Sequence, residues 1–178
     1  MADRPRRLLI GEGAGIGPTL FLAEQLRVLL DGRASAAALA PAAPATAPPA
    51  ATEAPSPPTT PLNPLVLLGS DTSFPFRPRP SVIIVPGIPT GVIACMPLLE
   101  EWGIASRLAS TADLPGCFEG TVTALADAWL SSLNPTDLAE VEIFARGPAP
   151  MLEAIANLAR SYGVPCVTSS PDATLARD

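Results

Sequence analysis

Short apolar runs alternate along the chain with longer stretches in which apolar residues return every three or four positions. Leu8–Gly11 reads as a strand, and the segment behind it as a helix with Pro18 near its first turn. In that helix Leu22, Leu26, Leu29 and Leu30 share one face, while Glu24, Arg27 and Asp31 take the other. "PLVLLGSD" predicts a second strand and "SVIIVP" a third. "TGVIACMPLLEEWG" predicts a helix disturbed at Pro97, and "IASRLAS" a further strand. Val122, Leu125, Ala126, Trp129, Leu130 and Leu133 recur at helical spacing up to a stop at Asn134-Pro135. "EVEIFARG" then predicts a strand. Pro148–Tyr162 predicts a helix with Met151, Ile155, Leu158 and Tyr162 on one stripe and Gly163 as its cap, and "PCVTSS" a last strand.

Several of these strands are apolar throughout, which marks strands hidden on both faces. Alternation with helices then predicts the α/β class: a doubly wound parallel sheet in three α/β/α layers.

Composition modifies this picture at one place. Ala34 to Pro64 holds twelve alanines, nine prolines and a single charge, Glu53. Proline removes backbone donors and blocks helix, so the stretch is expected to be extended and mostly disordered. It is read as an insertion within one domain spanning residues 1–178, because the 33 residues before it are too few to bury a core. Such an insertion is tolerated, since each doubling of loop length costs only about 0.6 kcal/mol.

Charge and absences narrow the chemistry. A formal charge of −6 argues against a nucleic-acid partner. The opening "MADRPRRLLIGEGAG" has too short an apolar stretch for a signal peptide, and the charge-free run Ser81–Leu99 is broken by Pro86, Pro89 and Pro97. No membrane association and a cytoplasmic location are the expectation. The chain has no histidine, which excludes a His-dependent triad and a His-ligated zinc. Cys95, Cys117 and Cys166 form no Cys-x-x-Cys pair and read as reduced small hydrophobes, with no metal site expected. Trp102 and Trp129, at helical spacing among aliphatic residues, read as core. Ser110, Asp113 and Glu119 lie at a strand exit and read as loop polar residues.

The one concentration of unusual residues is "GEGAGIGP", with Gly11, Gly13, Gly15 and Gly17 at the first strand-to-helix junction. A helix start presents unpaired N–H groups and partial positive charge, and bare backbone lets a phosphate approach. In doubly wound folds this junction is where ligands bind. Counting from Gly11, the sixth place of the strict dinucleotide fingerprint holds Ile16 instead of glycine. The arrangement present is G-x-G-x-x-P, from Gly13, Ala14, Gly15, Ile16 and Gly17 to Pro18. The same glycines also suit a tight turn that holds no ligand.

A second glycine turn, "ARGPAPMLEAI", follows the strand "EVEIFARG". Together, "GAGIGP" and "GPAPM" resemble the pyridine-nucleotide domain of the ferredoxin reductase family. Its patterns there are G-T/A-G-x-x-P and C-G-P-x-x-M. "GCFEGTVTALADAWL" is similar to that family's Gly-x-Val-Thr helix entry, through Gly120 to Thr123. "FARGPAPMLEAIANLARSYGVPC" resembles most closely the electron-transfer subunits of class 1B dihydroorotate dehydrogenases. The resemblance covers nearly all of the chain outside 34–64 and implies a ferredoxin reductase C-terminal-domain-like, Rossmann-like fold.

It further implies an oxidoreductase module that binds NAD(H) for electron transfer. Gly13, Ala14, Gly15, Ile16 and Pro18 would face the pyrophosphate, flanked by Gly11 and Gly17. Gly147, Pro148 and Met151 would lie beside the nicotinamide. Ser70 and Asp71, after the second strand, would lie near the adenosine ribose. Asp71 there would accept ribose hydroxyls and repel a 2′-phosphate, favouring NAD over NADP; alternatively it is a solvated turn residue. Arg146 replaces the family's cysteine with a bulky, permanent charge, which clashes with hydride transfer or turns away to bind a phosphate or a partner's carboxylate.

The family's flavin barrel and cysteine-rich [2Fe–2S] segment have no counterpart in this sequence. FAD and [2Fe–2S] are therefore expected only on a partner chain, a flavoprotein or iron–sulfur protein, and self-association into a homodimer is a further expectation. No catalytic residue is assigned. The alternative is a non-catalytic interaction or regulatory module that keeps the fold without redox activity.

Overall fold

The computed structural model of the protein describes residues 6–38 and 64–170. Six strands form one sheet: β1 (Arg6–Glu12), β2 (Leu65–Ser70), β5 (Ser106–Ser110), β6 (Phe118–Glu119), β7 (Val141–Arg146) and β8 (Cys166–Ser169). Their order across the sheet is β6-β5-β2-β1-β7-β8, and every neighbouring pair is parallel. Two further short strands, β3 (Arg79–Pro80) and β4 (Ala94–Cys95), pair antiparallel in a separate ribbon.

Five helices accompany them among the described residues. These are α1 (Ile16–Ala38), α2 (Pro97–Glu101), α3 (Val122–Ser132), α4 (Pro135–Ala139) and α5 (Ala149–Tyr162). The period-2 alternation of a strand splits the core in two. Leu8, Ile10, Leu65, Leu67, Ala109, Ile143 and Ala145 point to the face covered by α3 and α5. Leu9, Val66, Leu68 and Leu108 point to the other face, where Ile16 and Ala23 of α1 and Leu99 of α2 cover them. Helices therefore lie on both faces of a parallel sheet, as the apolar runs predict.

Local signals end the helices where physical chemistry asks. The Thr121 hydroxyl caps α3 by accepting the Ala124 amide at 3.2 Å. Gly163 closes α5 in the left-handed conformation, φ 66°. At Asn134-Pro135 the chain pauses and then starts α4, because Asn134 accepts the Asp137 amide at 2.9 Å and Pro135 suits a first turn.

Three expectations are corrected. "SVIIVP" is irregular, with Val82 and Ile84 exposed at 87% and 88%. The sheet place beside β2 is taken by β5, and prolines at 78, 80, 86 and 89 withhold ladder donors around the segment. The helix predicted across "TGVIACMPLLEEWG" shrinks to α2, since Pro97 is accommodated in a first turn but not in a helix interior. Leu29, assigned to the buried face of α1, is 63% exposed. Six residues past Ala23, Leu29 lies about 120° around the helix from it and so falls off the buried stripe of Ile16, Thr19 and Ala23.

Helix α1 also continues through residues 34–38, past the start of the alanine- and proline-rich stretch. Ala-rich sequence extends a helix readily until proline intervenes. Residues 39–63 of that predicted insertion lie outside the described residues. Among the described residues, no helix is long and apolar enough to cross a membrane.

Candidate functional site

Strand order reverses at β1, whose neighbours β2 and β7 lead to opposite edges of the sheet. Crevices at such reversals, beyond the carboxyl ends of the strands, are where open α/β sheets bind ligands. Here the two glycine turns that the sequence singles out pack against each other at that end of the sheet. Gly11 of β1 is the register partner of Arg146 of β7 and of Leu68 of β2.

The four alternating glycines have four different surroundings. Gly11 is buried, and a methyl group there would lie 2.7 Å from the Thr19 hydroxyl. Thr19 itself is 2% exposed and donates to the Gly15 carbonyl at 2.8 Å, so it ties the first turn of α1 onto the strand end. Gly13 adopts φ +56° and opens a single 3-10 turn, Gly13–Gly15. Gly15 is buried against the Arg146 carbonyl and 2.8 Å, for an added methyl, from the Gly147 amide nitrogen. Gly17 is exposed, with nothing within 4 Å of an added methyl. Packing thus accounts for Gly11 and Gly15, and backbone conformation for Gly13. Gly17 alone has free space above it and an ordinary conformation.

The second turn is built the same way. Gly147 is buried, and an added methyl would overlap the Met151 methyl and approach Glu12 Cβ to 3.3 Å. Met151 is 6% exposed and belongs to the core beneath α5, as Ile16, 5% exposed, belongs to the core beneath α1. Among the residues singled out, Gly13, Ala14, Gly17, Asp71, Arg146 and Pro148 are exposed, and Pro18 and Ser70 are half-buried. Gly11, Gly15, Ile16, Gly147 and Met151 are buried in the packing between the turns and the sheet. Ser70 Oγ accepts the Thr72 amide at 3.3 Å and so orders the turn that carries Asp71.

The residue that sequence reasoning passed over is Glu12. It ends β1 between the two turns, with one carboxylate oxygen 3.3 Å from the position a methyl on Gly69 would occupy. Burial and then the charge of Asp71 raise its pKa above the usual 4.5. The signal was present: an acid set between the first two glycines at the end of an apolar strand. Two carboxylates at this mouth, Glu12 and Asp71, oppose an approaching anion, and protonating Glu12 weakens that opposition.

Elsewhere the polar candidates serve structure. Ser110 is buried and accepts the Ala112 amide at 3.1 Å. The cysteines are free thiols, with Cys95 buried and the other two half-buried. Burial raises all three, and Cys95, also facing Glu100, is pushed up to about 11. Trp129 is core, while half-buried Trp102 lies 5.6 Å beneath the Arg27 guanidinium. Among the described residues no group of three or more potential metal ligands occurs.

Comparison with protein-family models, with curated proteins and with solved structures finds no match to this chain.

Proposed function

We propose that the protein is an NAD(H)-binding module of a ferredoxin reductase-like oxidoreductase, similar to the electron-transfer subunits of class 1B dihydroorotate dehydrogenases. It would act with a separate flavoprotein or iron–sulfur partner that holds FAD or [2Fe–2S]. The observation that carries this reading is the meeting of the two glycine turns. Gly15 packs on Arg146 and Gly147 at the point where strand order reverses. Two segments about 130 residues apart, which resemble the two halves of one nucleotide site, thus lie side by side.

The residues present fit a dinucleotide in part. Gly13, Ala14 and Gly17 offer exposed main chain at the start of α1, where a pyrophosphate gains from the helix dipole. Asp71 is exposed at the end of β2, a position suited to ribose hydroxyls and hostile to a 2′-phosphate. Arg146 is also exposed, so its guanidinium is available to a phosphate or to a partner's carboxylate. The bound nucleotide would supply the hydride chemistry; this chain's part is to hold and orient it.

A second reading, a non-catalytic interaction module, draws support from Glu12. Its carboxyl adds a negative charge beside Gly69 and Asp71, next to the turns where a phosphate would approach. Isothermal titration of the full chain with NADH, NAD and NADPH separates the two. Saturable NADH binding that weakens for NADPH supports the first reading. Absence of heat at millimolar NADH, with no displacement of NAD, rejects it in favour of the second.

A further inference from the structure

On the α3 side of the sheet, away from both glycine turns, lies a cleft of about 260 Å³. It is a shallow cleft lined by Val82, Ile84, Ile88 and Ile93, of which Val82 and Ile84 are largely exposed, by main-chain polar groups, by Thr90 at the rim and by one charged residue, Arg107. Arg107 is the second residue of β5 and only 5% exposed. A guanidinium carries five N–H donors. Two of its bonds go to main-chain oxygens, from Nη1 to Ser106 at 2.6 Å and from Nη2 to Ile83 at 2.6 Å. Its Nε is buried without a hydrogen-bond partner.

A buried cation is ordinarily matched by a carboxylate, because desolvation otherwise disfavours it. Among the described residues, no carboxylate forms an ion pair with Arg107. Glu100 is close enough to favour its charge, but its oxygens are engaged by the Ser81 hydroxyl and the Val82 amide, at 2.9 and 2.6 Å. The chain thus holds an under-used guanidinium against a small shallow cleft.

We infer that this cleft is a binding site for a small monocarboxylate with a compact apolar body, whose carboxylate pairs with Arg107. One planar cation suits one planar carboxylate, which accepts two parallel N–H bonds. The aliphatic walls suit a short branched or aromatic body and offer no second cation for a phosphate dianion. The site shares no residue with the nucleotide crevice and does not rest on that assignment.

The test titrates the isotopically labelled full chain with benzoate, with benzamide as the neutral isostere and with inorganic phosphate, following backbone amides by NMR. Benzoate is expected to bind with a Kd of about 1 mM or tighter and to shift amides of residues 81–93 and Arg107. Benzamide is expected to bind at least about tenfold more weakly, as is benzoate to Arg107→Met. Should Arg107→Met fail to fold, Thr90→Trp fills the cleft from its exposed rim and abolishes the shifts while Arg107 stays in place. Equal binding of benzamide, phosphate taking the same site in preference, no saturable benzoate shift, or unchanged benzoate binding by either folded variant would overturn the assignment.

Discussion

Gly15 and Arg146 are in contact through their main chains: a methyl group on Gly15 would overlap the Arg146 carbonyl oxygen. The first and second glycine turns are therefore one packed unit, and Gly15 is required for shape whether or not a ligand binds. Gly15→Ala is expected to destabilise the protein by about 1–3 kcal/mol through overpacking. Gly17→Ala, two residues on with free space above it, is expected to be neutral or to stabilise α1 by up to about 1 kcal/mol. Urea denaturation of both variants measures the contrast. Equal destabilisation would show that Gly17 is also packed.

If the exposed turn holds a pyrophosphate, Gly17→Glu places a third carboxylate there. NADH affinity measured by calorimetry should then fall at least about tenfold, while the melting temperature changes little. Loss of folding together with affinity would leave the effect structural.

Glu12 gives a pH dependence of defined sign. Its folded pKa is raised, so the protonated form is the one folding favours. Ionisation then costs stability as pH rises through the ordinary 4.5 and the raised folded value, and the cost persists at neutral pH. Glu12→Gln is expected to be the more stable protein at pH 7, by less than about 1 kcal/mol for a half-buried group, and to lose that advantage below pH 4.5. The same substitution should tighten NADH at neutral pH. Weaker NADH binding by the Gln variant would contradict the repulsive role given to this carboxylate.

Glu100 shows the opposite sign. Burial alone would raise its carboxyl, but hydrogen bonds from the Val82 amide, the Ser81 hydroxyl and Cys95 hold it below its usual value. Its contribution is present above pH 4.5 and is lost as pH falls through the lowered value. Amide exchange at Val82 and Ile83 should accelerate in Glu100→Ala at neutral pH, and in the wild type only under acid. Unchanged exchange in the variant would mean that the segment is held without Glu100, by the bonds of Ser81, Ile93 and Arg107.

Val82 and Ile84 face water despite their sequence context, so Val82→Ser and Ile84→Ser should each change stability by no more than about 0.5 kcal/mol. A buried strand at this place would lose several times that amount. Chemical denaturation of the pair decides between the two.

The alternation of apolar runs and helical stripes was enough to place β1, β2, β5, β7, β8, α3 and α5, because both periodicities are local properties of the backbone. Gly163 was legible for the same reason: a cap acts within one turn of its own helix. The fate of "SVIIVP" was not legible, since its pattern suits a strand and only competition with β5 for the edge of β2 excludes it. Likewise nothing near Leu29 in sequence records which stripe of α1 the sheet covers. The glycine turns were visible as a cluster, but their separate duties were set by what they pack against: Gly15 by distant Arg146, Gly147 by Met151 of its own helix and by Glu12. Local periodicity is written in neighbouring residues, whereas close packing, burial of Arg107 and the raised Glu12 pKa depend on which distant surfaces meet, and only the tertiary structure decides that.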